Sequence, residues 1–205
     1  MQTSLPTEII PLFSSPIYVT VDEEMPNIMD AVDELEFRNY DRSGYNLGAQ
    51  TVEQQILDKF LDFKSWLKEH VDEYVFGVQG VDAISHTTDF TCSWINMHQH
   101  MERANDHSHR NSLYSGVVYL RTHPNCGDIM FMDQRHRHLD PRRDATNVYN
   151  AKSWRITPQT GMVLIFPSEL VHCVEANMDH NRRYSLAFNV MVKGNYGNPT
   201  SFLTL

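Results

Sequence analysis

The sequence predicts a mainly β protein with flanking helices, folded as an antiparallel sandwich or jelly roll. Three observations lead there. After Gly77, apolar or β-branched runs recur at residues 90–97, 113–120, 129–132, 162–166 and 184–192, separated by clusters of Gly, Pro, Asn and Asp. Strands at this spacing, with no helix between them, pair antiparallel. Before Gly77, one segment repeats with a helical period instead. Across the 205 residues there is no internal repeat, low-complexity tract or linker. The simplest organisation is therefore a single domain, 1–205, with an N-terminal strand and packing helices over 1–80 and a jelly-roll core over 81–205.

Each element has its own reason. Pro11-Leu12-Phe13-Ser14-Ser15-Pro16-Ile17-Tyr18-Val19 predicts a short edge strand, since proline cannot donate to a ladder and is tolerated at edges. Residues 51–75 predict a helix. Thr51 and Gln54 have capping-box spacing, and Ile56, Phe60, Phe63, Leu67, Val71 and Tyr74 recur every three or four residues. The opposite face is charged, so the helix should pack on one side of a sheet. The polar stretch 133–153, rich in Arg and His, is long for a connection, which predicts that it covers a site.

Composition narrows the functional class. The formal charge is −9, from 26 acidic and 17 basic residues, and a net acidic chain is a poor match for phosphate backbones. Cys92, Cys126 and Cys173 form no C-x-x-C pair and read as reduced thiols of a cytoplasmic protein. No apolar run approaches the roughly 20 residues of a membrane span, and the N-terminus lacks the pattern of a signal peptide. The chain has 11 histidines, most of them in its second half, a first hint of metal chemistry.

Three features combine. In His107-Ser108-His109 an extended backbone turns both imidazoles to the same side, so they can share one ion. His172 follows the predicted strand 162–166, where a turn could bring it to that pair. Arg183-Tyr184-Ser185 opens the last strand; a guanidinium clamps a carboxylate through two hydrogen bonds, and a nearby hydroxyl adds a third. Alternation puts Arg183, Ser185, Ala187 and Asn189 on one face. His98-Gln99-His100 and His136-Arg137-His138 share the i, i+2 spacing but read as solvated surface. Trp94, Phe166 and Phe188 read as core.

In chain order, the motifs are Pro11-Leu12-Phe13-Ser14-Ser15-Pro16-Ile17-Tyr18, Trp94-x-Asn96, His107-x-His109 and Ser115-Gly116-Val117-Val118-Tyr119-Leu120. Phe166-Pro167-Ser168-x-Leu170-x-His172-x-Val174 and Arg183-x-Ser185-x-x-Phe188-Asn189 complete the series. This ordered set resembles the 2-oxoglutarate/iron(II)-dependent oxygenases, in a His-x-His branch common in bacteria and marine phages. The resemblance implies a double-stranded β-helix in which His107, His109 and His172 bind Fe(2+). It also implies that Arg183, Ser185 and Tyr119 hold 2-oxoglutarate, with Asn96 and Asn189 in supporting contacts. The expected activity is a hydroxylase that couples decarboxylation of 2-oxoglutarate to succinate with C–H oxidation of a peptidyl side chain or a small molecule.

The chain departs from the wider superfamily at His109, where a carboxylate is usual. A neutral imidazole there leaves the iron one unit more positive. Asp106 or Asp140 could complete the triad instead. Two rivals remain. A cupin-type three-histidine oxygenase would use Gly161, Pro167, His172 and Asn177, but lacks its expected glutamate after His109 and leaves Arg183 unexplained. A noncatalytic jelly-roll binding protein would have a poorly formed site.

Overall fold

The structure is a computed structural model that describes residues 9–39, 47–135 and 139–205. In chain order the elements are β1 (Tyr18–Val21), the short helix α1 (Met29–Val32), β2 (Phe37–Asn39), β3 (Ala49–Thr51), α2 (Leu61–Asp72), β4 (Thr87–His98), β5 (Ala104–His107) and β6 (Tyr114–Arg121). There follow β7 (Ile129–Met132), β8 (Ser153–Ile156), β9 (Met162–Pro167), β10 (His172–Val174), β11 (Arg183–Lys193), β12 (Asn195–Tyr196) and β13 (Leu203–Thr204). Among the described residues the strands make a seven-stranded sheet, ordered β1-β9-β6-β11-β4-β3-β2, a four-stranded sheet, ordered β5-β10-β7-β8, and a two-stranded ribbon, β12-β13. Neighbouring strands in all three are antiparallel. The result is the jelly roll that the run of short strands predicts.

Side-chain alternation builds the layers. On β11, Tyr184, Leu186, Phe188, Val190 and Val192 join Val118 and Leu120 of β6 in one core, which α2 closes with Phe63, Leu67 and Val71. Tyr119 of β6, Ile129 and Phe131 of β7, and Met162, Leu164 and Phe166 of β9 form a second core between the two sheets. Arg183, Ser185 and Ala187, on the other face of β11, line a cavity in that second layer. Strand closeness is fixed at Gly116, where an added Cβ would sit 2.2 Å from Phe188 Cζ and 2.5 Å from the Leu164 carbonyl oxygen.

Two predicted elements differ. The N-terminal edge strand does lie at the sheet edge but starts only at Tyr18, pairing with β9. Pro11 and Pro16 have no N–H to give a ladder, and Phe13 takes a left-handed backbone with φ of 58°. The predicted helix at 51–75 begins at Leu61 after a 3₁₀ turn, Ile56–Lys59, and runs on into a π turn, Glu73–Val78. Thr51 is instead the last residue of β3. Its hydroxyl accepts from Ile95 N at 3.1 Å and donates to the Glu53 carbonyl at 2.9 Å. Backbone groups of the next residues go to β4, with Ser93 N donating to the Gln54 carbonyl and Leu57 N to Ser93 Oγ. The capping-box spacing thus falls in the turn that leads from β3 to the 3₁₀ turn. No helix among the described residues is long and apolar enough to cross a membrane.

Candidate metal centre

His107 closes β5 and His172 opens β10, and the two are direct partners across that antiparallel pair. Their ring centroids lie 4.3 Å apart. His109 lies just beyond β5, held by its backbone N–H on the Ser168 carbonyl at 2.9 Å. Ser168 is itself fixed by hydroxyl contacts to Ser112 at 3.0 Å and Ser115 at 2.8 Å, and Ser115 donates to Asn189 Oδ1. The Pro-Ser step after β9 and Asn189 therefore set the backbone that carries His109. One ring nitrogen from each of His107, His109 and His172 lies within 4.8 Å of the others.

The tautomers follow from geometry. His107 Nδ1 meets the Asn105 carbonyl at 2.7 Å and His172 Nδ1 meets the Leu170 carbonyl at 2.9 Å. A carbonyl only accepts, so both Nδ1 atoms carry the proton and both Nε2 atoms keep a lone pair, as metal ligation requires. Burial, and then the neighbouring His107, hold His172 down at about 3 and His109 at about 4. Both rings stay neutral at physiological pH. Neutral imidazoles that keep a lone pair suit a divalent ion.

Neither candidate carboxylate joins this group among the described residues. Asp106 interacts with Cys173 and lines a separate surface cleft. Asp140 is held by Arg143 and Lys152.

The same cavity, of about 100 Å³, is bounded by the three histidines, Arg183, Ser185 and Tyr119. Arg183 is 1% exposed. Its Nη1 donates to the Cys126 carbonyl at 2.6 Å and the Gly127 carbonyl at 3.2 Å, while Nε has no partner. Gly127 can offer its carbonyl because it has φ of 85°, and a Cβ there would meet the Glu175 carbonyl oxygen at 2.3 Å. Burial lowers the Arg183 pKa, partly offset by Tyr119 and Cys126. A guanidinium stays charged regardless. Among the described residues no carboxylate pairs with it, which leaves a buried cation beside an open cavity. Such a charge is costly until an anion arrives.

Three sequence readings change here. Trp94 and Phe166 line the cavity as well as packing, with Trp94 6.0 Å from His109 and its Nε1 on Asn96 Oδ1. His98 is not solvated surface. It is 4% exposed, faces the cavity from the end of β4, and has no hydrogen bond of good geometry on either ring nitrogen. The signal was the alternation Trp94, Asn96, His98, which continues one face of β4 to its last residue. His100 packs against His180 with ring centroids 4.8 Å apart and tilted by 33°; the His136/His138 pair lies outside the described residues. The described part of 133–153 lines a neighbouring groove with residues 10–17, rather than this cavity.

Residues 92–189 match the family model described as "Putative 2OG-Fe(II) oxygenase". The match starts in β4 and ends in β11, so it includes all three histidines and Arg183. No curated protein sequence matches the chain. Among solved structures the chain is similar to HygX from Streptomyces hygroscopicus with nickel, 2-oxoglutarate and hygromycin B bound. There the TM-score is 0.56 at 10% identity, covering 86% of this chain and 83% of that one. The epimerase SnoN of nogalamycin biosynthesis, described as non-haem and α-ketoglutarate dependent, gives 0.54 at 13%, covering 80% and 68%. An oxidoreductase of the 2OG-Fe(II) oxygenase family from Burkholderia pseudomallei gives 0.50 at 15%; the chain spans 71% of its own length but only 61% of that relative. At these identities the structural likeness bears on the fold, and the sequence match bears on the family. Over residues 92–189, the segment carrying the three histidines and the buried arginine is similar to the 2-oxoglutarate/iron(II) oxygenase family.

Proposed function

We propose that His107, His109 and His172 hold the iron(II), and that Arg183, with Ser185 and Tyr119, holds the distal carboxylate of 2-oxoglutarate. The carrying observation is Arg183: a buried, unpaired cation on the wall of the cavity that the three imidazoles share. A cosubstrate-free cupin oxygenase has no use for that charge, and a noncatalytic jelly roll has no reason to keep it buried. A dicarboxylate spanning metal and guanidinium satisfies both ends.

The bound iron and 2-oxoglutarate supply the oxidising power, with decarboxylation to succinate coupled to oxidation of a substrate C–H bond. The chain's own residues position and protect. The Asn105 and Leu170 carbonyls keep the His107 and His172 rings in the ligating tautomer. The Cys126 and Gly127 carbonyls aim the guanidinium. Phe166 and Phe131 pack against His172, at 4.8 and 5.8 Å, and keep water from that side. Three neutral ligands bring no negative charge, so the only negative charge at the ion would come from the chelating carboxylate of 2-oxoglutarate, its distal carboxylate being matched by Arg183.

The substrate is a small molecule or a peptidyl side chain, reaching the centre past Gln50, Trp94 and Asn96 on the cavity wall. The HygX structure, with a natural product beside 2-oxoglutarate on the same fold, supports the small-molecule class. Free thiols at Cys92, Cys126 and Cys173 suit the reducing cytoplasm.

Calorimetry tests this reading. The Mn(II)-loaded protein should bind 2-oxoglutarate with one-to-one stoichiometry, and binding should depend on the metal. Metal binding without any 2-oxoglutarate binding would return the cupin reading.

A further inference from the structure

The proposed roles leave one buried group on the cavity wall without a purpose. His98 lies directly opposite Arg183 in the β4–β11 register. Both of its ring nitrogens are buried with no hydrogen bond of good geometry, only the Arg103 backbone acting on the ring, and Arg183 Nε is likewise without one. Buried polar atoms are almost always hydrogen-bonded, and an exception calls for an explanation. Here three orphaned atoms come from two facing residues that line one cavity.

The fold holds this ring in place. Asn177, fully buried, donates from Nδ2 to the His98 carbonyl at 3.0 Å and to the Asn181 carbonyl at 2.9 Å. Gly48 keeps room beside the ring. A Cβ there would lie 2.9 Å from His98 Cδ2 and 2.8 Å from the Met97 carbonyl oxygen, on a backbone with φ of 73°. Burial first, and then the Arg183 charge, keep the imidazole neutral, at about 3. A neutral imidazole still offers one N–H.

We infer that His98 is a further donor to the distal carboxylate of 2-oxoglutarate, binding it alongside Arg183, Ser185 and Tyr119 and favouring diacids over acids that only chelate the metal. Charge balance supports a neutral partner. One guanidinium already matches one carboxylate, and a second buried cation would leave the filled pocket positive. A carboxylate has two oxygens and can take several donors at once. This inference rests on the cavity being the cosubstrate site.

The test compares two probes on the Mn(II)-loaded protein by calorimetry. 2-Oxoglutarate reaches both metal and distal site; oxalate chelates the metal but has no distal carboxylate. His98→Phe should weaken 2-oxoglutarate about tenfold or more, the scale of one lost hydrogen bond to a charged group, and leave oxalate unchanged. His98→Asn, which keeps an N–H, should recover part of the loss. In the ¹⁵N-labelled wild type loaded with diamagnetic Zn(II), the His98 imidazole N–H resonance should shift on addition of 2-oxoglutarate markedly more than with oxalate; this readout stands even if the Phe variant fails to fold. Wild-type affinity in His98→Phe, equal loss for both probes, or a resonance that moves no more with 2-oxoglutarate than with oxalate would overturn the role of His98. Arg183→Met separates the two claims. If it also leaves the preference for 2-oxoglutarate over oxalate intact, the cavity reading itself fails.

Discussion

His107 and His172 face each other as register partners across β5 and β10, their ring centroids 4.3 Å apart. Two members of the candidate metal centre thus sit on a strand pair, each imidazole anchored by a carbonyl of its own strand approach. Strand support of this kind limits how far those two rings can move.

His107→Ala should abolish tight metal binding while leaving the fold intact, because the side chain is exposed and packs in neither core. We expect Mn(II) affinity to fall by about 100-fold or more. Calorimetry, with thermal melting of the same sample as a control, gives the answer; near-native Mn(II) affinity would remove His107 from the ligand set.

The metal-free protein should lose stability on acidification. Unfolded histidines titrate near their ordinary 6.5, whereas the fold holds His98 and His172 at about 3 and His109 at about 4. Between those values the unfolded chain binds protons that the folded one refuses. Stability therefore falls as pH drops below about 6.5 and is unaffected by these groups well above it. Urea midpoints of the apo protein at pH 8, 7, 6 and 5 should be level at first and then decline. His98→Phe should flatten part of that decline, and an unchanged slope would speak against burial of the neutral ring.

Gly116→Ala should destabilise the fold by about 1–3 kcal/mol, since the new methyl overlaps Phe188 Cζ and the Leu164 carbonyl. Trimming the clashing ring in Gly116→Ala/Phe188→Leu should cost less than the sum of the two single changes. Strict additivity in urea unfolding would show that Phe188 is not what excludes the methyl.

Much of this was legible in the sequence, and the reasons differ by element. The core strands announced themselves by apolar runs, and Phe63, Leu67 and Val71 by their helical spacing, because burial on one face leaves a period. The ordered motifs pointed to His107, His109, His172 and Arg183, which the fold brings to one cavity. The strands that carry His107 and His172 were not. Ala104-Asn105-Asp106-His107 has no apolar pattern, and its extended form comes from pairing with β10, a tertiary effect. His98 reads as surface because it lies far before the strand at 115–120; the alternation inherited from Trp94 and Asn96 is the better guide.

Thr51 shows the same limit, since its side chain serves β4 from the end of β3 rather than capping a helix. Thr51→Val should leave the Ile95 N–H without its acceptor in a site that is 1% exposed. We expect a loss of about 1–3 kcal/mol by urea unfolding, spread over the whole cooperative transition. A loss confined to helix content would favour the capping role.

The most direct measurement is a crystal structure with Mn(II) and 2-oxoglutarate under anaerobic conditions. It should show the ion on His107, His109 and His172 at about 2.1–2.2 Å, with no protein carboxylate in the coordination sphere, and the distal carboxylate on Arg183. An ion bound elsewhere, a carboxylate displacing His109, or a diacid turned away from Arg183 would contradict the account.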